Sequence, residues 1–160
     1  MQLTRKFPGL VLSIMMALLA GGIGSFFTMT EIPTWYAMLI KPTISPPNWL
    51  FGPVWTTLYI LMGTAAWLMW RAAAPSVDKR RALALYVFQL ILNALWSIIF
   101  FGMHALGVAF VELLILWSMI VVLIVLFMRI SRPAGWLLVP YLAWVSFAGI
   151  LNLMLWVLNS

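Results

Sequence analysis

The sequence predicts an all-α fold: an integral membrane bundle of five transmembrane helices, forming a single domain over residues 1–160. Three observations predict it. Hydrophobic residues make up 66% of the chain, more apolar surface than a soluble domain of this size can hide from water. Charged residues are only 8%, with three acidic side chains in all, and they gather at a few boundaries. Between those boundaries lie five apolar stretches of about 20 residues. At a rise of about 1.5 Å per residue, each matches a hydrocarbon core of about 30 Å. In lipid every backbone polar group must be paired internally, so such stretches are helices.

The spans are expected at residues 9–29, 50–70, 82–102, 105–128 and 134–157. Pro8 and Gly9 mark the first start. Arg5 and Lys6 resemble the basic start of a secretory signal, but the apolar run is long and has no Ala-x-Ala cleavage site, so it reads as a retained helix. Pro33, Pro42, Pro46 and Pro47 keep the first connection irregular, over residues 30–49. Pro75 and the run Asp78, Lys79, Arg80, Arg81 break the second. Met103 and His104 form a tight third turn. Arg129, Arg132 and Pro133 mark the fourth.

Five crossings place Arg5, Lys6, Arg71, Lys79, Arg80, Arg81, Arg129 and Arg132 on one side of the membrane. Lys41, opposed by Glu31, is the one Lys or Arg on the other. This is the positive-inside pattern, so the N-terminus is expected in the cytoplasm and the first connection outside. The expected location is a bacterial inner membrane. The basic residues form no stripe, which argues against nucleic acid as a partner. Cysteine is absent, so disulfides, thiol nucleophiles and thiolate metal sites are excluded. No cluster of His, Asp and Glu has metal-ligand spacing, so no metal is expected.

Small residues point to a packing face on the first span. Ala17, Gly21 and Ser25 lie four apart, with Ala20 and Gly24 beside them. No internal repeat is visible, which counts against a transporter built from inverted halves.

The first connection is unusually apolar for a linker. From Trp35 to Trp49 it holds Pro42, Pro46 and Pro47 among aromatic and aliphatic residues. Proline lowers the entropy lost on ordering, so this loop is pre-shaped. It reads either as an interfacial aromatic belt or as a lid over a cavity between the helices.

Polar side chains inside the spans are few. Gln89, Asn93 and Ser97 lie on one face of the third span, beside Trp96. Ser146 and Asn152 lie in the fifth, near Trp144. Unpaired amides are costly in hydrocarbon, so these should point inward, to another helix or a ligand. Glu112 is an intramembrane carboxylate, for which a hydrogen bond to a neighbouring helix is the preferred role, with proton carriage or ligand orientation as alternatives. With His104 it makes neither a proton relay nor a metal site.

There are 10 tryptophans. Trp49, Trp67, Trp70, Trp136 and Trp156 lie near span ends, as belt residues do. Trp35, Trp55, Trp96, Trp117 and Trp144 are the candidates for packing or for a pocket. Flat aromatic walls with a few amides suit a large planar apolar ligand.

Several blocks together resemble the TspO/MBR family, the tryptophan-rich sensory and translocator proteins. They are Trp35-Tyr36, Lys41-Pro42, Pro46-Pro47 and Phe51-Gly52-Pro53-Val54-Trp55-Thr56. Gln89, Asn93-Ala94-Leu95-Trp96-Ser97 and Phe100-Phe101-Gly102 continue the series, followed by Val139-Pro140-Tyr141-Leu142-Ala143-Trp144 and Leu151-Asn152. The resemblance implies a five-helix bundle, often a homodimer, with a ligand cavity beneath the first loop. It implies tetrapyrrole ligands such as protoporphyrin IX or haem and no required cofactor. The pocket positions it carries over are Tyr36, Pro42, Trp55, Asn93 and Trp144, to which Trp96 is added from its place beside the amide stripe. No acid–base residue is implied. If the chain is photochemically active on porphyrin, Trp55 and Trp144 are the residues implied. The expected function is a membrane receptor or sensor for tetrapyrroles; alternatives are a transporter of porphyrins or lipophiles and a light-dependent porphyrin-degrading enzyme. The sterol motif of animal members has a tyrosine and an arginine where this chain has Leu153 and Val157, so sterol recognition is not expected.

Overall fold

A computed structural model describes residues 7–160; Arg5 and Lys6 lie outside the described residues. Five long helices account for most of the chain. They are α1 (Phe7–Glu31), α3 (Phe51–Arg71), α4 (Ser76–Ser97), α5 (Leu106–Ile130) and α6 (Arg132–Leu158). The short α2 (Trp35–Met38) and a 3₁₀ turn (Asn48–Leu50) order part of the first connection. No strand occurs among the described residues. Four long helices combine the length and apolar character of a membrane span: Pro8–Glu31, Ser76–Gly102, Leu106–Ile130 and Arg132–Leu158. The fifth, α3, has 21 residues, and its apolar character is diluted by Thr56, Thr57, Thr64 and its tryptophans. The chain is an all-α integral membrane protein.

The helices close into a ring in the order α1, α3, α6, α5, α4 and back to α1. The connections 72–75, 103–105 and Ser131 are short, so successive helices run in opposite directions. One end of the bundle therefore gathers Arg71, Lys79, Arg80, Arg81, Arg129 and Arg132, and the other gathers Glu31, Lys41 and His104. Helix α4 starts at Ser76, ahead of the apolar run. Pro75 precedes it and Asp78 occupies the first turn, where a carboxylate favours the positive helix end. Pro133 sits in the first turn of α6, where no backbone donor is lost.

Small residues set the approach of α1. Ala17, Gly21 and Gly24 form its buried stripe, while Ser25 is exposed and bonds Gly21 O of its own helix at 2.8 Å. At the α1–α3 crossing, Ser13 Oγ donates to Gly63 O at 2.8 Å. A Cβ at Gly63 would stand 2.5 Å from Ile14 Cα, so only glycine permits this contact. Outward faces of α1 and α5 are apolar and exposed, with Leu12, Leu19, Phe26, Val111 and Ile115 among them. Such surface belongs against lipid tails.

Helix α4 ends in a π-helical turn, Ile98–Gly102. The wider turn leads into Met103 and His104, and His104 takes a left-handed backbone conformation, φ 56°. That conformation is uncommon for a residue other than glycine. It reverses the chain within three residues and leaves the imidazole facing the first connection.

Candidate functional site

The interior holds a hydrogen-bonded chain that crosses three helices. Tyr59 on α3 donates to Asn93 Oδ1 on α4. Asn93 Nδ2 donates to Tyr141 Oη on α6 at 3.1 Å, and Tyr141 donates to Gln89 Oε1 at 2.9 Å. Gln89 Nε2 in turn faces Met62 Sδ at 3.8 Å. All of these residues are buried. Each amide thus finds protein partners, which removes the penalty of an unpaired polar group in hydrocarbon. The polar stripe of the third span is therefore a bundle-fastening network for Gln89 and Asn93, whereas Ser97 lies instead beside Gly24. Tyr59 and Tyr141 are essential members that sequence reasoning did not single out. Their spacing from other polar residues gives no signal, because their partners come from other helices.

Around this network stand the tryptophans. Trp55 stacks on Tyr59 with ring centroids 5.6 Å apart and meets Tyr141 edge-on at 6.3 Å. Trp96 Nε1 donates to Asn152 Oδ1 at 3.2 Å, and Asn152 Nδ2 donates to Leu106 O at 2.9 Å. Trp96 also packs on Phe100 at 4.9 Å. Trp55, Asn93 and Trp96 line one void, together with Leu113, Leu116, Val145 and Ala148. Its volume is about 10 Å³, room for about one water molecule. Trp144 stands apart from this lining. It is half-buried and meets Phe51 at 6.1 Å and Phe147 at 5.5 Å.

The first connection lies over one end of the bundle. Tyr36 is buried, 5.8 Å from the ring of Phe101 and 6.3 Å from that of Phe100. The space beneath Tyr36 is thus filled by the aromatic residues of the π-helical turn rather than by an open chamber. Phe100 meets both Tyr36 and Trp96, so one ring stands between the lid residue and an indole that lines the void. Lys41 lies over the Tyr36 ring at 4.6 Å, within cation–π range. Burial raises the Tyr36 phenol above its ordinary value of 10.0. Trp35 stacks on His104 at 4.1 Å, and His104 Nε2 lies 3.2 Å from Glu31 Oε2. Pro42 is buried within the loop.

Of the expected site residues, the structure brings Trp55, Asn93 and Trp96 together. It sets Tyr36 against Phe100 and Phe101, outside that lining, and leaves Pro42 in the lid and Trp144 beside Phe51. Trp35 belongs to the lid contact with His104. Trp117, expected to pack or line a pocket, lies at the outer surface, where its Nε1 donates to Ser146 Oγ at 2.8 Å. Trp49, Trp70, Trp136 and Trp156 are exposed near the bundle ends, and Trp67 is half-buried beneath Arg71 at 4.7 Å. Glu112 is buried, but neither carboxyl oxygen has a hydrogen-bond partner among the described residues. This corrects the expected bond to a neighbouring helix: no donor from another helix reaches either carboxyl oxygen among the described residues. No group of three potential metal ligands occurs among the described residues. A larger, open groove of about 470 Å³ runs along α5, lined by Val111, Leu114, Ile115, Ser118, Met119 and Val122. It lacks aromatic walls and amides and lies on the lipid-facing surface.

A ring of apolar helices with an inward tyrosine–amide network and a tryptophan-lined seam defines an all-α, multi-pass membrane protein. The family model for the TspO/MBR family matches residues 13–157. The chain is 43% identical over 157 residues to "Tryptophan-rich protein TspO" of Chlorobaculum tepidum, covering 98% of this chain and 99% of that protein. It is 42% identical over 135 residues to "Translocator protein" of Homo sapiens, covering 84% and 80%. It is 38% identical over 118 residues to "Tryptophan-rich sensory protein" of Cereibacter sphaeroides, covering 74% and 72%. The chain belongs to the TspO/MBR family.

Proposed function

We propose that this protein is a membrane receptor that takes a tetrapyrrole, protoporphyrin IX or haem, between Trp55 and Trp96 beneath the lid. One observation carries the reading: a single void is bounded by two indoles and the Asn93 amide, and one of those indoles, Trp96, packs on Phe100, which the lid residue Tyr36 also meets. Indole faces offer a planar macrocycle a large contact area, and an amide fixes its orientation. Orientation in a bacterial inner membrane, with the lid outward, and assembly as a homodimer belong to the same proposal.

The void is far smaller than the roughly 300–1,000 Å³ of ordinary ligand pockets. Binding on this reading parts the walls, and the apparent affinity is reduced by the cost of reaching the open form. Titration of the protein in nanodiscs with protoporphyrin IX tests it. Saturable, one-to-one quenching of tryptophan fluorescence is expected. Trp55→Leu and Trp96→Leu should each weaken binding about tenfold, the scale of one lost aromatic contact. Trp136→Leu, at an exposed site, should leave it unchanged. Non-saturable quenching, equal in all three variants, would overturn the proposal.

A further inference from the structure

We infer that Asn159 is the latch that sets how fast ligand enters and leaves beneath the lid; this rests on the reading of the tryptophan seam as the tetrapyrrole site. Residues 35–47 of the lid touch the bundle mainly through the Tyr36 and Trp35 rings. Among the described residues, only two hydrogen bonds join that segment to the bundle, and both come from Asn159. Ile40 N donates to Asn159 Oδ1 at 2.9 Å, and Asn159 Nδ2 donates to Ile40 O at 3.0 Å.

The pair satisfies both backbone polar groups of Ile40. Its side chain is 62% exposed. Position 40 is therefore held by its backbone, and the specificity lies in residue 159. The geometry needs a donor and an acceptor on one short planar group, which a primary amide supplies. Asn159 Nδ2 also donates to Leu155 O at 2.8 Å, so the amide is braced against the last turn of α6. The same helix supplies Val145 and Ala148 to the void and Tyr141 to the buried network. The lid is thus fastened to a helix that also lines the void.

A latch made in the closed form, with and without ligand, raises the barrier to exchange and leaves the equilibrium nearly untouched. The test uses the full chain in nanodiscs, with stopped-flow mixing of protoporphyrin IX and hydrogen exchange at the Ile40 amide. In Asn159→Ala, the Ile40 amide should lose protection in the ligand-free protein. Association and dissociation rates should both rise about tenfold, the scale of one or two neutral hydrogen bonds, and Kd should stay within about twofold. Asn159→Asp keeps the acceptor for Ile40 N and loses the donor, so its rates should fall between the two. Unchanged Ile40 exchange in Asn159→Ala would overturn the latch itself. Faster exchange with unchanged ligand rates would overturn its control of admission. Absence of saturable binding by the wild-type protein would instead overturn the tetrapyrrole reading and the admission role with it, and the exchange data would still report on the lid contact.

Discussion

Gly21 of α1 lies against the ring of Tyr59, so close that a Cβ at position 21 would stand 2.3 Å from Tyr59 Cε2. Tyr59 both stacks on Trp55 and donates to Asn93. A methyl group on α1 therefore reaches the tryptophan seam through one ring. Gly21→Ala should lower thermal stability by about 1–3 kcal/mol, the usual cost of overpacking, and should also weaken protoporphyrin IX binding. Gly22, one residue on, is exposed with nothing within 4 Å of its would-be Cβ. Gly22→Ala should leave binding unchanged and stability the same or slightly higher, since alanine is the better helix former. Melting curves in detergent and fluorescence titrations check both variants, and equal behaviour of the two would refute the Tyr59 link.

Two buried tyrosines make opposite predictions. Tyr141 accepts from Asn93 and donates to Gln89, so Tyr141→Phe orphans two amide groups. Interhelical bonds in bilayers average about 0.6 kcal/mol, but a buried group left unpaired costs about 1–3 kcal/mol. A loss of about 1–3 kcal/mol is expected. Tyr86 is equally buried, yet its hydroxyl has no hydrogen-bond partner among the described residues. Tyr86→Phe should be neutral or stabilising. Denaturant titration followed by tryptophan fluorescence separates the two, and a larger loss in Tyr86→Phe would show that the network has been misassigned.

The fold class was legible because lipid imposes one rule on every span: an apolar run of the right length must be a helix. Gln89 and Asn93 were legible as inward-facing for the same reason. Their partners were not. Tyr59 and Tyr141 lie 34 and 48 residues from Asn93, and no periodicity within one helix announces a bond between two. Trp117 shows the converse. An indole in mid-span reads as buried, but a single bond to Ser146 lets it sit at the lipid-facing surface. The lid's contact with Asn159 was hidden because one partner is a backbone, which carries no sequence signal.

Sidedness follows from the ends of α3. The lid with Lys41 adjoins one end, and Arg71 with the connection to Arg80 adjoins the other. The chain has no cysteine, so Lys41→Cys and Arg80→Cys each create a unique thiol. In intact cells a membrane-impermeant maleimide should label the first and spare the second until the membrane is opened. Labelling of both from the same side would refute the crossing of α3 and the orientation together.

Lid docking should weaken at alkaline pH. Burial raises the Tyr36 phenol above its ordinary value of 10.0, so the docked lid holds that proton more tightly than the undocked lid does. The contribution is fully present below the ordinary value and is lost as pH rises through it toward the docked value. The Tyr36 contribution to docking should therefore fall above about pH 10, where the undocked phenol ionises first. An environment-sensitive fluorophore on Thr43→Cys, at an exposed lid position, reads this directly. Tyr36→Phe keeps the ring against Phe100 and Phe101 and removes the titrating group, so its alkaline transition should disappear. Lys41 is unchanged in that variant, and a transition that persisted would belong to a group other than Tyr36.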